Sequence, residues 1–139
     1  MKYDRTVSVT ADFAPTVVAV REALAAQGFG VLTEIDVTAT LKAKLDHDME
    51  DYLILGACNP RLAHRALEAD RTIGLLLPCN VVVRRDGDRT LVQAMDPAVM
   101  VEMTGLPALQ PIAEDATARL DAALAAVAGL VQPRVPGDS

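Results

Sequence analysis

Tyr52-Leu53-Ile54-Leu55-Gly56-Ala57-Cys58-Asn59-Pro60 is the stretch on which the fold turns. Tyr52 to Ala57 is apolar, too short for a buried helix, and flanked by an acidic segment on one side and Asn-Pro on the other, so it reads as a buried strand. Asn59 is a good helix N-cap, and Pro60 suits the first helical position, where its missing N–H goes unmissed. Leu62, Ala63, Ala66 and Leu67 then form one apolar stripe through Ala69. A strand therefore runs straight into a helix, with a cysteine at the junction.

Working upstream, Phe29 to Val37 alternates, with Val31, Thr33, Ile35 and Val37 expected on one face. A short helix is expected to start at Thr38 or Thr40 and run through Leu41 and Leu45. Asp46-His47-Asp48-Met49-Glu50-Asp51 reads as a surface loop. Before these elements, Phe13, Val17, Val20 and Leu24 make a helical stripe after an Asp12 cap, and Gly28 supplies the left-handed stop. Tyr3 to Thr10, with Val7 and Val9 between polar neighbours, reads as a half-buried strand.

Downstream, Val81-Val82-Val83 and Thr90-Leu91-Val92 flank Asp86-Gly87, a favoured pair for a tight turn. With that pair at the turn centre, Val83 faces Thr90, Val81 faces Val92, and Asn80 faces Gln93. Pro97 and Pro107 bracket an irregular or short helical link. A last helix from near Pro111 carries Ile112, Ala116, Leu120, Leu124 and Val127 on one side. These elements predict an α+β fold, a two-layer sandwich with a mixed sheet of about five strands and helices mainly on one face. Residues 1–130 are expected to form a single domain, and 131–139, with two prolines and a glycine, a loose tail.

The chain has 139 residues, 51% hydrophobic but only 3% aromatic, with no Trp. Its core must therefore be aliphatic. That much apolar content in a small domain favours a homodimer, and face-to-face pairing of two sheets would cover a face for which the sequence is expected to lack polar residues. A formal net charge of −6 argues against nucleic acid, which demands concentrated Lys and Arg. No window approaches a membrane span, and the charged N-terminus has no apolar run behind it. The expected setting is cytoplasmic, where the two cysteines remain thiols.

Cys58 is the most suggestive residue, because free N–H groups at a helix N-terminus stabilise a thiolate. The competing reading is plain packing, since cysteine is among the most buried residue types. Cys79 lies at Leu77-Pro78-Cys79-Asn80, where the hairpin begins. The two sulfurs share one end of the sheet only if residues 70 to 78 carry the chain back. Their spacing matches no established zinc pattern, and CxxC is absent. His64 is off its helix's buried stripe and joins Cys58 and Cys79 as a candidate metal ligand, although a solvent-exposed flank position is the commoner outcome. Asp46, His47, Asp48 and Glu50 read as a solvated loop. Met95, Met100 and Met103 beside Asp96 invite a copper reading, but suit gap-filling in an aromatic-poor core better. Serine occurs only at positions 8 and 139, and no Ser/His/Asp arrangement or phosphate-binding glycine loop is present.

The runs Gln27 to Val37, Tyr52 to Pro60 and Ile73 to Val83, followed by Ala94-Met95-Asp96-Pro97, resemble in order the domain-of-unknown-function 302 family. The resemblance spans nearly all of residues 1 to 130. It implies a small bacterial and archaeal α/β domain, often dimeric, with no settled activity. It further implies that Asn59-Pro60 is a structural element and Cys58 a feature of a subgroup, and the acidic His47 loop departs from its pattern.

Three functional readings follow. One is a binding domain holding a small ligand or a soft metal such as Cu(I) or Zn at the Cys58/Cys79 end, with Asn59 and Asn80 supplying polar contacts. Another is a thiol enzyme in redox or sulfur handling, with Cys58 as nucleophile and Cys79 as resolving thiol. A third is an interaction domain without a site. No acid or base partner is visible beside either cysteine, so binding ranks first.

Overall fold

A computed structural model of the chain describes residues 2–130, and the tail expected at 131–139 lies outside them. The elements run β1 (Asp4–Val9), α1 (Phe13–Ala26), β2 (Gly30–Asp36), α2 (Val37–Leu45), β3 (Tyr52–Cys58), α3 (Pro60–Ala69), β4 (Cys79–Asp86), β5 (Arg89–Met95), α4 (Ala98–Thr104) and α5 (Gln110–Leu130). The strands form one five-stranded sheet in the order β1-β5-β4-β3-β2. Every neighbouring pair is antiparallel, so the α+β expectation holds while the expected mixed sheet gives way to a wholly antiparallel one. The reason lies in the connections. After β1 the chain crosses by way of α1 to the far edge of the sheet, and β2, β3, β4 and β5 then lie side by side in chain order, each reversing the direction of the last.

Alternation sorts the strands into two faces. Leu53, Leu55 and Ala57 on β3, Val81 and Val83 on β4, and Val92 and Ala94 on β5 are buried against α1 and α5. From α5, Leu120, Ala123, Leu124 and Val127 enter this core, whereas its earlier turns give Ile112 and Ala116 to a second cluster with Leu62, Ala66, Ile73, Met100 and Leu109. The stripe expected on this helix is thus all buried, and it serves two clusters in turn. Arg5 clamps α5 to β1 through Asp121 at 2.5 Å and reaches Asp96 at 3.2 Å.

Helix α1 ends as its glycine requires. Gly28 has φ +84°, its N–H bonds Ala25, and the Phe29 N–H bonds Leu24, all of which form a Schellman motif with Phe29 and Leu24 both in the core. Two local expectations fail for definable reasons. In the hairpin, Gly87 with φ +60° takes the first central position and Asp88 the second, which fits a type II′ turn. Val83 therefore faces Val92, Val82 faces Gln93, and Val81 faces Ala94. In β2, the pairing with β3 slips between Val31 and Thr33. Leu32 is extra, so Val31 packs on the core while Thr33 and Ile35 turn to the opposite face. Helix α2 starts one residue earlier than expected, at Val37, because the Asp36 carboxylate accepts from the Ala39 N–H.

The second sheet face carries Thr6 and Ser8 from β1, Gln93, Leu91 and Met95 from β5, Asn80, Val82 and Arg84 from β4, and Ile54 and Tyr52 from β3. None of these is buried. Polar residues for an uncovered face are therefore present after all, contrary to expectation. They are interleaved with apolar ones, so composition alone hides them.

Gly56 is the one buried glycine of this sheet. A Cβ there would sit 2.1 Å from Thr33 Oγ1 and 2.9 Å from Pro78 Cγ. Thr33 can rotate, but the proline ring cannot. Gly56→Ala is expected to lower unfolding free energy by about 1–3 kcal/mol, measured by urea denaturation, with Thr33→Ala recovering only part of the loss.

Candidate functional site

The antiparallel pairing of β3 with β4 places Ala57 opposite Cys79. Residues 70 to 78 do carry the chain back, through a 3₁₀ turn at Arg71–Leu76, and the two cysteines lie at the same end of the sheet. Cys58, Asn59 and Cys79 line one cavity between the two core clusters, together with Phe29, Leu62, Pro78 and Met100. Its volume is about 30 Å³. A single water needs roughly 10–15 Å³ measured this way. The cavity is a packing gap of water size, and a small organic ligand does not fit without movement.

The residues around this gap are largely committed. Asn59 Oδ1 accepts from the Leu62 N–H at 3.3 Å, the N-cap bond expected of it, and Asn59 Nδ2 donates to the Gln27 carbonyl at 3.4 Å. Arg119 donates to the same carbonyl at 3.3 Å while held by Asp115 at 2.9 Å. Asn59 thereby ties the start of α3 to the end of α1. Cys79 is 8% exposed. Burial, and then the neighbouring Cys58, push its thiol from 9.0 up to about 11, so it stays protonated near neutral pH. Cys58 is half-buried at the strand end. Strand alternation gives it the parity of Ile54 and Gly56, opposite to that of Ala57 and its partner Cys79.

The other sequence candidates lie elsewhere. His64 is exposed, sits 3.5 Å from Glu68 and does not line the cysteine cavity. Asn80 is exposed on the open sheet face. In the acidic loop, Lys42 pairs with Asp46 at 2.8 Å and Asp48 at 3.0 Å, all exposed to solvent. Met100 is buried in the second cluster, Met95 is half-buried at the end of β5, and Met103 is exposed instead of filling the core. Among the described residues, no three His, Cys, Asp or Glu side chains gather as a metal site.

Of the recesses lined by Cys58, Asn59, Cys79 or Asn80, the larger is on the uncovered face. Tyr3, Asp4, Tyr52, Asn80, Val82, Gln93 and Met95 line a groove of about 420 Å³. Its polar groups are ordered by a chain of hydrogen bonds. Arg84 Nε donates to Gln93 Oε1 at 2.8 Å, Gln93 Nε2 donates to Thr6 Oγ1 at 3.1 Å, and Thr6 Oγ1 donates to Asp4 Oδ2 at 2.5 Å. Sequence reading picked out Asn80 for its place beside a cysteine. The signal for the groove is the polar parity of β4 and β5, where Asn80, Gln93 and Met95 share a face in the expected hairpin register as in the observed one, the two differing by two residues.

A family model described as "Domain of unknown function DUF302" matches residues 5–127. The crystal structure of an uncharacterized conserved protein DUF302 from Bacillus stearothermophilus is similar, with a TM-score of 0.86 and 34% sequence identity, covering 91% of this chain and 99% of that one. No curated protein matches.

The buried thiol generates a pH prediction. The unfolded Cys79 thiol ionises near 9.0, whereas the folded one keeps its proton to about 11. The folded chain binds more protons across that window, so stability falls as pH rises from 9 toward 11. The loss is about 2 kcal/mol. Cys79→Ala is expected to flatten this alkaline slope in denaturation series. In timed alkylation near neutral pH, Cys58 is expected to react about 10-fold or more faster than Cys79.

Proposed function

We propose, for a chain that belongs to the DUF302 family, that it acts as a binding domain and seats its ligand on the uncovered face of the sheet. The observation that carries this reading is the contrast in room, a groove of about 420 Å³ on that face against about 30 Å³ beside the cysteines. Ligand pockets generally run to roughly 300–1,000 Å³, mostly apolar with a few fixed polar groups. The groove has that make-up: two tyrosine rings, a valine and a thioether, with the Asn80 and Gln93 amides and the Asp4 carboxylate as polar points.

Of the candidates at the original site, Asn80 passes to this groove. Asn59 is assigned to holding helices together, and His64 to the surface. The ligand's charge follows from the lining. Asp4 is the one charged residue among those that line the groove, Arg84 beside it is turned to Gln93 through its Nε, and the chain's formal net charge is −6. An uncharged or cationic molecule with a flat apolar body is favoured over an anion, since aromatic faces and a carboxylate both attract positive charge.

A second reading keeps Cys58 and Cys79 as a thiol pair that holds a soft metal or forms a disulfide. It draws on their shared cavity and on the influence of Cys58 on the Cys79 thiol. Its weakness is the proton that Cys79 must first give up, and the opposite strand parity of the two residues. Elemental analysis of the purified protein, with Cys58→Ser beside it, decides this reading.

The groove is tested by amide-resolved NMR titration with phenethylammonium as an aromatic cation and benzoate as the mismatched anion. Phenethylammonium is expected to shift Asn80, Val82, Gln93 and Met95, with Tyr52→Ala weakening it by about 10-fold, while benzoate leaves them unmoved. Shifts clustered on Cys58 and Asn59, or none at millimolar probe, would remove the groove as the binding site.

A further inference from the structure

The chain has two tyrosines, two phenylalanines and no tryptophan. Phe29 is buried in the core and Phe13 packs against it, whereas Tyr3 and Tyr52 both line the open-face groove. In a sequence so poor in aromatics, both rings outside the core serve one recess. Tyr3 is 67% exposed there, so the fold itself leaves its ring largely unpacked. Aromatic faces of this kind stack on flat heterocycles.

Beside the rings, the strand register sets two amides close together. Thr6, Gln93 and Val82 form one row across β1, β5 and β4, and Asn80 lies two residues before Val82 on the same face. Gln93 and Asn80 are therefore diagonal neighbours, a relation that spans about 7–8 Å in a sheet. The Gln93 amide is held in one orientation by groups that permit no other. Arg84 Nε can only donate, so it takes the Gln93 oxygen. At the other end, the Thr6 hydroxyl gives its one proton to the Asp4 carboxylate, which leaves it only a lone pair to offer Gln93 Nε2. A primary amide has two N–H donors and two lone pairs, so Gln93 keeps one of each for a ligand. The Asn80 side-chain amide has no hydrogen-bond partner among the described residues.

Resting on the reading of this face as the binding site, we propose that the groove selects an uncharged planar ring whose edge carries a hydrogen-bond acceptor beside a donor, as a 6-aminopurine or an aromatic carboxamide does. The acceptor takes the spare Gln93 N–H and the donor takes the spare lone pair, the pairing by which side-chain amides read adenine. The tyrosine rings, Val82 and Met95 cover the ring's apolar faces. Because Gln93 is oriented before a ligand arrives, binding has little left to order. A ring without such an edge leaves the Gln93 donor and acceptor unpaired beneath it.

Amide-resolved NMR titration of the full chain compares adenine with 6-dimethylaminopurine, which keeps the rings and lacks the donor. Adenine is expected to shift Asn80, Val82 and Gln93, and to bind about 10-fold tighter than the dimethyl compound. Gln93→Glu keeps the acceptor that Arg84 uses and loses the N–H. It is expected to weaken adenine by about 10-fold and to strengthen phenethylammonium, since a second carboxylate then borders the groove. Misfolding does not produce two changes of opposite sign. Thr6→Val frees the amide to turn and is expected to narrow the preference for adenine. Benzamide separates the two sources of the edge: binding like that of adenine extends the site to carboxamides, and adenine alone assigns it to purines. Equal affinity for adenine and 6-dimethylaminopurine overturns the inference, and the groove still stands as the binding site if phenethylammonium shifts the same amides. Silence of these amides toward every probe removes both.

Discussion

One-sided burial of an antiparallel sheet is the constraint from which the rest of the molecule follows. Val81, Val83, Val92 and Leu55 are each 1% exposed or less, because α1 and α5 close over their side of the sheet. The pleat sends the next residue of each strand the other way, so every buried valine obliges a neighbour to meet solvent or a ligand. Asn80, Val82, Arg84 and Gln93 are those neighbours. The groove is thus a by-product of core formation, and the Arg84–Gln93–Thr6–Asp4 chain gives it ordered polar groups.

Helix α5 shows how the two clusters are coupled. Its first turns pack under α3 and α4, its later turns under the sheet, and the cysteine cavity lies where the clusters adjoin. Asn59 and Arg119 converge on the Gln27 carbonyl at this boundary and join α1, α3 and α5 by two hydrogen bonds, with Asp115 holding Arg119 in place. A cysteine beside such a joint has little room to act. Burial keeps Cys79 neutral, and the helix N-terminus that makes Cys58 attractive already has Asn59 capping one of its N–H groups.

The sequence was most legible where a signal was local and periodic. The α1, α3 and α5 stripes, the Asn59-Pro60 start and the Gly28 stop all appear where their residues place them, because each depends on neighbours within a turn or two. It was misleading where one residue decides a register. Gly87 at the first or second turn position shifts every hairpin pair, and the extra Leu32 in β2 turns Thr33 and Ile35 to the other face. Neither choice leaves a trace in composition, since both alternatives keep alternating hydrophobic residues.

The amino-acid order by itself determined which segments become strands and helices, the aliphatic nature of the core, and the caps that start and stop the helices. These are short-range consequences of side-chain shape and backbone hydrogen bonding. Only the tertiary structure decided that the sheet is wholly antiparallel, that Asn80 and His64 part company with the two thiols, and that the stretch from Gly30 to Asp51 buries nothing. Such facts depend on which distant segments meet, and a strand carries no local mark of its partner or of the side left open.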